Sequence, residues 1–381
     1  MAERPDTLTV LLAGGGSGGH IYPGLAIAER LRDLAPDVQC RFLCSTRSID
    51  TAILSQATIG DAGVDFTPIP AEPFSARPGR FARFIRGYGR SRALTRRLIA
   101  RHHPCHVIAL GGFVAAPAAA AAAAESSPAT LVNLDATPGK ANRRTARKCD
   151  LVVSAVATPE RPTFATRIVG MPLRRASIAS QPGPDCRAAL GLDRDLRTLL
   201  VVGGSQGAKS VNDFLAALIQ GHTSALDGWQ VLHLTGGETS QRVMKAAYAE
   251  AGIPARVCAF LNDMGRAWGA ADLAVSRSGA GSVGEAIANG VPALFLPYPF
   301  HRDEHQRRNA EPLESAGGCV VVRDRVDAHA NVVDAGTHLR ALLSDDARRA
   351  RMREAVTATA CDDAAATIAG LVLDRGGHHR A

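Results

Sequence analysis

The chain has 381 residues, 46% apolar and 21% charged, which suits two domains with cores of their own and excludes a long disordered polyelectrolyte. A net charge of +8 asks for an anionic partner, while 4% aromatic residues leave few platforms for stacking single-stranded nucleic acid. Eight scattered cysteines argue against a disulfide framework or a zinc site, and neither an export signal nor an apolar run of ~20 residues is present, so a cytosolic protein is expected.

Apolar or β-branched runs predict strands at 8–13, 38–44, 64–69, 107–110, 130–134 and 151–156. The second half repeats the pattern at 199–202, 229–234, 257–260, 273–276, 293–296 and 319–322. Several runs are apolar on consecutive residues, as in parallel strands buried on both faces, and helical stretches lie between them. Each half opens alike: residues 8–13 run into Gly14-Gly-Gly-Ser-Gly-Gly19, and residues 199–202 into Gly203-Gly-Ser-Gln-Gly207. Two doubly wound α/β domains are therefore expected, at 1–168 and 186–375, with a hinge at 169–185 and a frayed tail at 376–381. The last helix is a candidate for packing back on the N-terminal domain.

Gly14-x-Gly16-x-x-Gly19 matches the dinucleotide fingerprint, but the second strand ends in Cys44-Ser-Thr-Arg47, without the ribose-binding acid of a dehydrogenase. His20 follows in the first turn of a helix, where a neutral ring able to accept a proton is favoured; a capping or exposed histidine is the bland alternative. Ser276-Arg-Ser-Gly-Ala-Gly-Ser-Val-Gly-Glu285 is a strand end, a turn and a helix with one acid. That carboxylate suits paired ribose hydroxyls, or simply compensates the helix dipole. His301 to Asn309 crowds polar groups after a strand, as at the mouth of a ligand crevice. Asp193-Arg-Asp195 precedes its strand and reads as a solvated loop.

Together these segments resemble the MurG glycosyltransferase family, which completes a lipid-linked peptidoglycan precursor. The resemblance is carried by Gly14–Gly19 with His20 and Pro23-Gly24, by Gly111-Gly112-Phe113, and by Gly170-Met-Pro-Leu-Arg174. It continues through Gly203–Ala208, Phe260-Leu-Asn-Asp-Met264, Arg277 to Glu285, and Asp303-Glu-His-Gln306-x-x-Asn309. It implies the GT-B fold, two Rossmann-like domains whose parallel sheets face a central cleft. It implies an inverting transfer of N-acetylglucosamine from UDP-GlcNAc to a polyprenyl-diphosphate acceptor, with no cofactor and no metal. His20 is then the candidate base. Ser17, Gly18, Gly19, Asp135, Arg174, Ser205, Gln206, Leu261, Ala280, Gly281, Ser282, Val283, Gly284, Glu285 and Gln306 fall to the donor. Gly15, Gly16, Gly111, Gly112, Phe113 and Asn309 fall to the acceptor side. Two departures stand out: Val132-Asn-Leu-Asp135 replaces His-Glu-Gln-Asn, and Phe113 replaces a common tyrosine. A different lipid or glycan acceptor, or a nucleotide-sugar-binding protein without catalysis, are the alternatives.

Between Arg77 and Arg101 lie nine arginines and no acid. Arg80, Arg83, Arg86 and Arg90 recur at helical spacing among Phe81, Phe84, Ile85 and Tyr88, the pattern of a helix lying on anionic lipid. A peripheral enzyme on the inner face of the plasma membrane follows from that reading; nucleic acid and a solvated face are the competing ones.

Overall fold

The computed structural model describes residues 7–158, 164–203, 207–300 and 303–376, and the chain divides into two compact units, 1–174 with 362–381, and 175–361. In the first unit the strands are β1 (Thr9–Ala13), β2 (Gln39–Ser45), β3 (Thr58–Ile59), β4 (Ala62–Gly63), β5 (Asp65–Ile69), β6 (Cys105–Ala109), β7 (Ala129–Asn133), β8 (Leu151–Ser154) and β9 (Arg167–Ile168). Its helices are α1 (Gly18–Leu34), α2 (Ser48–Gln56), α3 (Pro78–Arg101), α4 (Gly112–Ala124) and α5 (Lys140–Ala146). Seven strands form one parallel sheet in the order β5-β2-β1-β6-β7-β8-β9. The pair β3–β4 is a separate antiparallel hairpin.

The β1 run is apolar without alternation because both faces are covered: Leu11 and Ala13 pack with Leu43, Val107, Val114 and Ala118. Each fully buried leucine contributes roughly 1.5–3 kcal/mol. The alanine run became α4, whose small side chains let it sit close on the sheet. On α3 only Gly87, Ser91, Thr95 and Ile99 are buried, a stripe at four-residue spacing. Gly87 cannot be larger, since a Cβ there would stand 2.4 Å from the Pro70 carbonyl oxygen.

The second unit holds β10 (Arg197–Val202), β11 (Trp229–Leu234), β12 (Ala255–Cys258), β13 (Leu273–Ser276), β14 (Ala293–Phe295) and β15 (Cys319–Val321). Its helices are α6 (Gly183–Ala189), α7 (Lys209–His222), α8 (Glu238–Glu250), α9 (Met264–Ala270), α10 (Ala280–Ala288), α11 (His305–Ser315), α12 (Ala328–Ser344) and α13 (Asp346–Ala358). The sheet is parallel in the order β12-β11-β10-β13-β14-β15. Two apolar clusters, one around Phe214 and Leu339 and one around Trp268 and Phe295, cover its faces. The final helix, α14 (Ala364–Arg375), belongs to the first unit: it packs on α1, where Arg30 Nε donates to Asp363 Oδ2 at 2.6 Å.

The strand order reverses between β1 and β6 in the first unit and between β10 and β13 in the second. In a doubly wound sheet that reversal opens a crevice beyond the carboxyl ends of the strands, which is where ligands bind. The twelve predicted strands all form, within a residue or two of the expected ends; β3, β4 and β9 were not predicted, because pairs of two residues carry no periodicity.

Candidate active site

In the first unit the reversal is flanked by the glycine turn after β1 and by Gly111-Gly112 after β6. Ser17 sits at the N-cap of α1 with extended backbone, and His20 is the third residue of that helix. Gly111 and Gly112 have φ of +100° and +71°, a region open to glycine. A Cβ on Gly111 would stand 3.1 Å from His20 Cδ2 and 3.2 Å from Nε2; one on Gly112 would stand 3.4 Å from Cε1 and Nδ1. The two glycines therefore form a floor against which the imidazole lies. Ser17 Oγ is 3.4 Å from His20 Nδ1, and the Gly15 carbonyl lies on the same side of the ring, against Gly112. Burial pushes the His20 pKa below its ordinary value, against the opposing charge of Asp135, the bond to Gly15 and the charge of Asp50. The ring is consequently neutral near pH 7.

The turn itself is held by residues that sequence reading did not single out. The buried Asp50 carboxylate, on α2, accepts the Gly16 N–H at 2.7 Å on Oδ2 and 3.0 Å on Oδ1. It also accepts from the Ser45 N–H at 3.0 Å and the Ser45 hydroxyl at 2.5 Å. Arg47 donates to the Gly16 carbonyl at 3.1 Å, and its guanidinium lies 5.0 Å from the centre of the Phe113 ring. Beyond β7, Asn142 Nδ2 donates to Asn133 Oδ1 at 3.1 Å, while Asn133 Nδ2 donates to the Asp135 carbonyl at 2.8 Å and the Ser154 hydroxyl at 2.9 Å. A Gly111 Cβ would lie 3.4 Å from Asn142 Oδ1. Gly15, Gly16, Ser17, His20, Gly111 and Gly112 thus come together, with Phe113 stacked under Arg47 and Asp135 within electrostatic reach. Gly18 is buried and Gly19 exposed. Arg174 closes the first unit: its Nε donates to Glu29 Oε1 on α1 at 2.7 Å and its Nη2 to the Thr58 carbonyl at 2.9 Å.

In the second unit the turn after β10 contains Ser205 and Gln206, which lie outside the described residues. The turn after β13 leads to α10, whose N-cap Gly279 offers no side chain to the free N–H groups of Ala280, Gly281 and Ser282. A Cβ on Gly279 or Gly281 would meet nothing within 4 Å among the described residues, which leave this helix end open. The Ser278 hydroxyl beside it is buried without a hydrogen bond among the described residues. Val283 and Gly284 face the core. Glu285 is partly buried one turn on, where Oε2 accepts from the Trp268 indole at 3.0 Å. Burial pushes its carboxyl up to about 7, against hydrogen bonds from Trp268 and Ser177. Leu261 is partly buried at the edge of the Trp268 cluster. Gln306 Oε1 accepts the Tyr298 N–H at 2.8 Å, and Asn309, buried in this same unit, donates weakly to the Ser278 carbonyl at 3.5 Å. Arg277 is structural: it pairs with the buried Asp324 at 2.7 Å and donates to Ser210 at 2.8 Å, joining β13 to α7.

Among the described residues there is no group of three or more His, Cys, Asp or Glu that could hold a metal ion, and no helix long and apolar enough to cross a membrane. All of Arg80, Arg83, Arg86 and Arg90 are exposed on α3. They surround an aromatic cluster in which Phe74 meets Phe84 at 5.4 Å and Phe81 at 6.2 Å between ring centres.

Two doubly wound parallel-sheet domains make this a protein of the GT-B fold class, and the sequence matches place it among the glycosyltransferases. Residues 10–154 match the glycosyltransferase family 28 N-terminal domain and residues 198–368 its C-terminal domain. A UDP-N-acetylglucosamine–N-acetylmuramyl-(pentapeptide) pyrophosphoryl-undecaprenol N-acetylglucosamine transferase from Nocardioides sp. is 37% identical over 97% of this chain and 98% of its own. The protein of the same name from Sorangium cellulosum is 35% identical over 98% of this chain and 90% of its own. MurG of Acinetobacter baumannii has the same fold, with a TM-score of 0.70 over 97% of this chain and 100% of its own at 23% identity. The chain belongs to the MurG family of glycosyltransferases.

Proposed function

We propose that this protein transfers N-acetylglucosamine from UDP-GlcNAc to the lipid-linked N-acetylmuramyl-pentapeptide diphosphate of peptidoglycan synthesis. The observation that carries this reading is the 37% identity over 97% of the chain to a relative bearing that name. In the reaction the acceptor hydroxyl oxygen attacks the anomeric carbon from the face opposite UDP. The bond from that carbon to the diphosphate oxygen breaks, UDP leaves with the electron pair, and the configuration inverts. His20 accepts the hydroxyl proton, a role its half-buried, neutral ring supports. The open N-terminus of α10 supports binding of the diphosphate through backbone N–H groups. Glu285 takes the ribose hydroxyls, with Arg174, Ser205, Gln206, Leu261 and Gln306 completing the donor subsite. Asp135 and the glycine turn border the acceptor. The exposed arginines and aromatics of α3 dock the enzyme on anionic lipid, where a polyprenyl acceptor resides.

The test is product analysis by mass spectrometry after incubation with UDP-GlcNAc and a short-chain analogue of the lipid-linked muramyl-pentapeptide. A disaccharide-bearing lipid is expected. UDP release without that product would overturn the acceptor assignment and favour another lipid or glycan.

A further inference from the structure

The peptide group joining Gly15 to Gly16 is gripped from both ends. Its N–H lies between the two oxygens of Asp50, at 2.7 and 3.0 Å. Its carbonyl oxygen lies beside the His20 imidazole, whose pKa the Gly15 backbone raises. A Cβ on Gly112 would stand 2.9 Å from that carbonyl oxygen and 3.4 Å from Nδ1, whereas Nε2 lies on the Gly111 side, 3.2 Å from a Cβ there. Nδ1 is thus the nitrogen facing Gly15, and Nε2 the one facing away.

A fully buried carboxylate is costly to keep unless hydrogen bonds satisfy it. Here the Ser45 N–H and hydroxyl do so together with Gly16. A side chain of that expense, set under a glycine turn rather than in an ion pair, acts on what the turn touches. A charge on the N–H end of a peptide polarises it and strengthens its carbonyl as an acceptor. A histidine's working nitrogen is selected by the hydrogen bond that its other nitrogen makes. We propose that Asp50 is a positioning residue that acts through the Gly15–Gly16 peptide to hold the His20 proton on Nδ1 and leave the Nε2 lone pair free to accept one. A single amide plane thereby couples a carboxylate on α2 to a histidine on α1. This rests on the reading of His20 as the base.

Other groups reach the ring. The Ser17 hydroxyl stands 3.4 Å from Nδ1, where it can accept the same proton, Asp135 acts from the segment after β7, and Arg47 acts on the turn through the Gly16 carbonyl. The start of α4 brings no ionisable side chain among residues 111–113, and α5 brings the neutral Asn142.

The experiment uses the full chain labelled with 15N-histidine and long-range proton–nitrogen correlation spectra, with the His20 signals assigned by their loss in His20→Ala. In the wild type, neutral His20 is expected as a single tautomer protonated at Nδ1. In Asp50→Asn, checked to be folded by circular dichroism, a mixture of tautomers and a lower titration midpoint are expected. kcat should then fall about 10- to 100-fold, the scale for partners that orient a working histidine, with the KM for UDP-GlcNAc unchanged and partial rescue in Asp50→Glu. Ser45→Ala keeps the charge and removes one of its donors, and should raise the His20 midpoint. A folded Asp50→Asn with wild-type tautomer and midpoint would overturn the inference, as would an unaltered His20 in Ser45→Ala should the first variant not fold. If His20→Ala keeps its turnover while Asp50→Asn changes the tautomer, the coupling stands and the base assignment falls.

Discussion

Trp268 donates its indole N–H to Glu285 Oε2 at 3.0 Å, and this neutral donor together with Ser177 does not offset the cost of burying the carboxylate, so its pKa rises from 4.5 to about 7. The folded chain therefore binds an extra proton between these two values. Stability falls as pH climbs through that window and stays lower above it. Glu285→Gln removes the titration. Denaturation at pH 4.5 and 8 should show the variant gaining on the order of 1–3 kcal/mol over the wild type between the two. Ribose hydroxyls would supply the missing donors, so UDP-GlcNAc should bind the wild type more tightly as pH rises through 7. The variant should bind about 1–3 kcal/mol more weakly at pH 8 with no such dependence. Calorimetric titration at both pH values checks this, and identical affinities would remove Glu285 from the donor subsite.

His20 shifts the opposite way in effect. Its folded pKa lies below the ordinary 6.5 because burial disfavours the imidazolium. The unfolded chain thus takes up the proton first, and the contribution of this site to stability is lost as pH falls below 6.5. The acid limb of kcat/KM is expected below pH 6.5 as well. His20→Ala should lower kcat about 10²- to 10⁴-fold while leaving UDP-GlcNAc affinity intact. Single-turnover kinetics with the lipid analogue separate the two effects, and an unchanged rate would exclude the imidazole as base.

Most of this architecture was legible because β1, β6 and β13 are buried along their whole lengths, and β10 beyond its exposed Arg197, so each strand carries an unbroken apolar run of three or four residues. The glycine turns and His20 were legible because glycine at such spacing has few other uses. Asp50 was not. The end of β2 was searched for an acid and showed Arg47, yet three residues on, Asp50 folds back to Gly16 across 34 positions of sequence. Nothing local distinguishes it from an ordinary acid in the first turn of a helix. Asn133 escaped for the same reason: it stood out as a departure from a family motif, while its bonds to Asn142 and Ser154 exist only once β7, β8 and α5 are assembled. The Trp268–Glu285 contact likewise joins two helices.

Gly111 tests the floor beneath the imidazole. With φ at +100° and ψ at −174°, a region essentially confined to glycine, an alanine costs about 1–3 kcal/mol of backbone strain. Its methyl would also press on His20 at 3.1 Å from Cδ2 and tilt the ring away from Gly15. Gly111→Ala should lower the melting temperature only modestly yet depress kcat by more than tenfold, about 1.4 kcal/mol in the barrier. Gly139→Ala, with nothing within 4 Å of its Cβ and ordinary backbone angles, should match the wild type in both. Equal activity in the two variants would mean that the ring does not depend on this floor.

The α3 surface makes the last case. Of its eight arginines, Arg96 pairs with Glu125, and the other seven make no ion pair among the described residues. Phe74, Phe81 and Ile85 are 64%, 44% and 52% exposed beside them, an apolar cost that a chain surrounded only by water has no reason to keep. Each arginine near an anionic leaflet contributes about 1 kcal/mol, so Arg83/Arg86/Arg90→Glu should weaken binding to anionic vesicles by at least roughly a hundredfold. Wild-type binding should fall as salt rises. Phe81→Ser should instead reduce the part that persists at high salt. Flotation with phosphatidylglycerol vesicles against neutral ones reads both effects. Undiminished binding by the triple variant, or equal binding to neutral vesicles, would assign the arginines to solvent rather than to lipid.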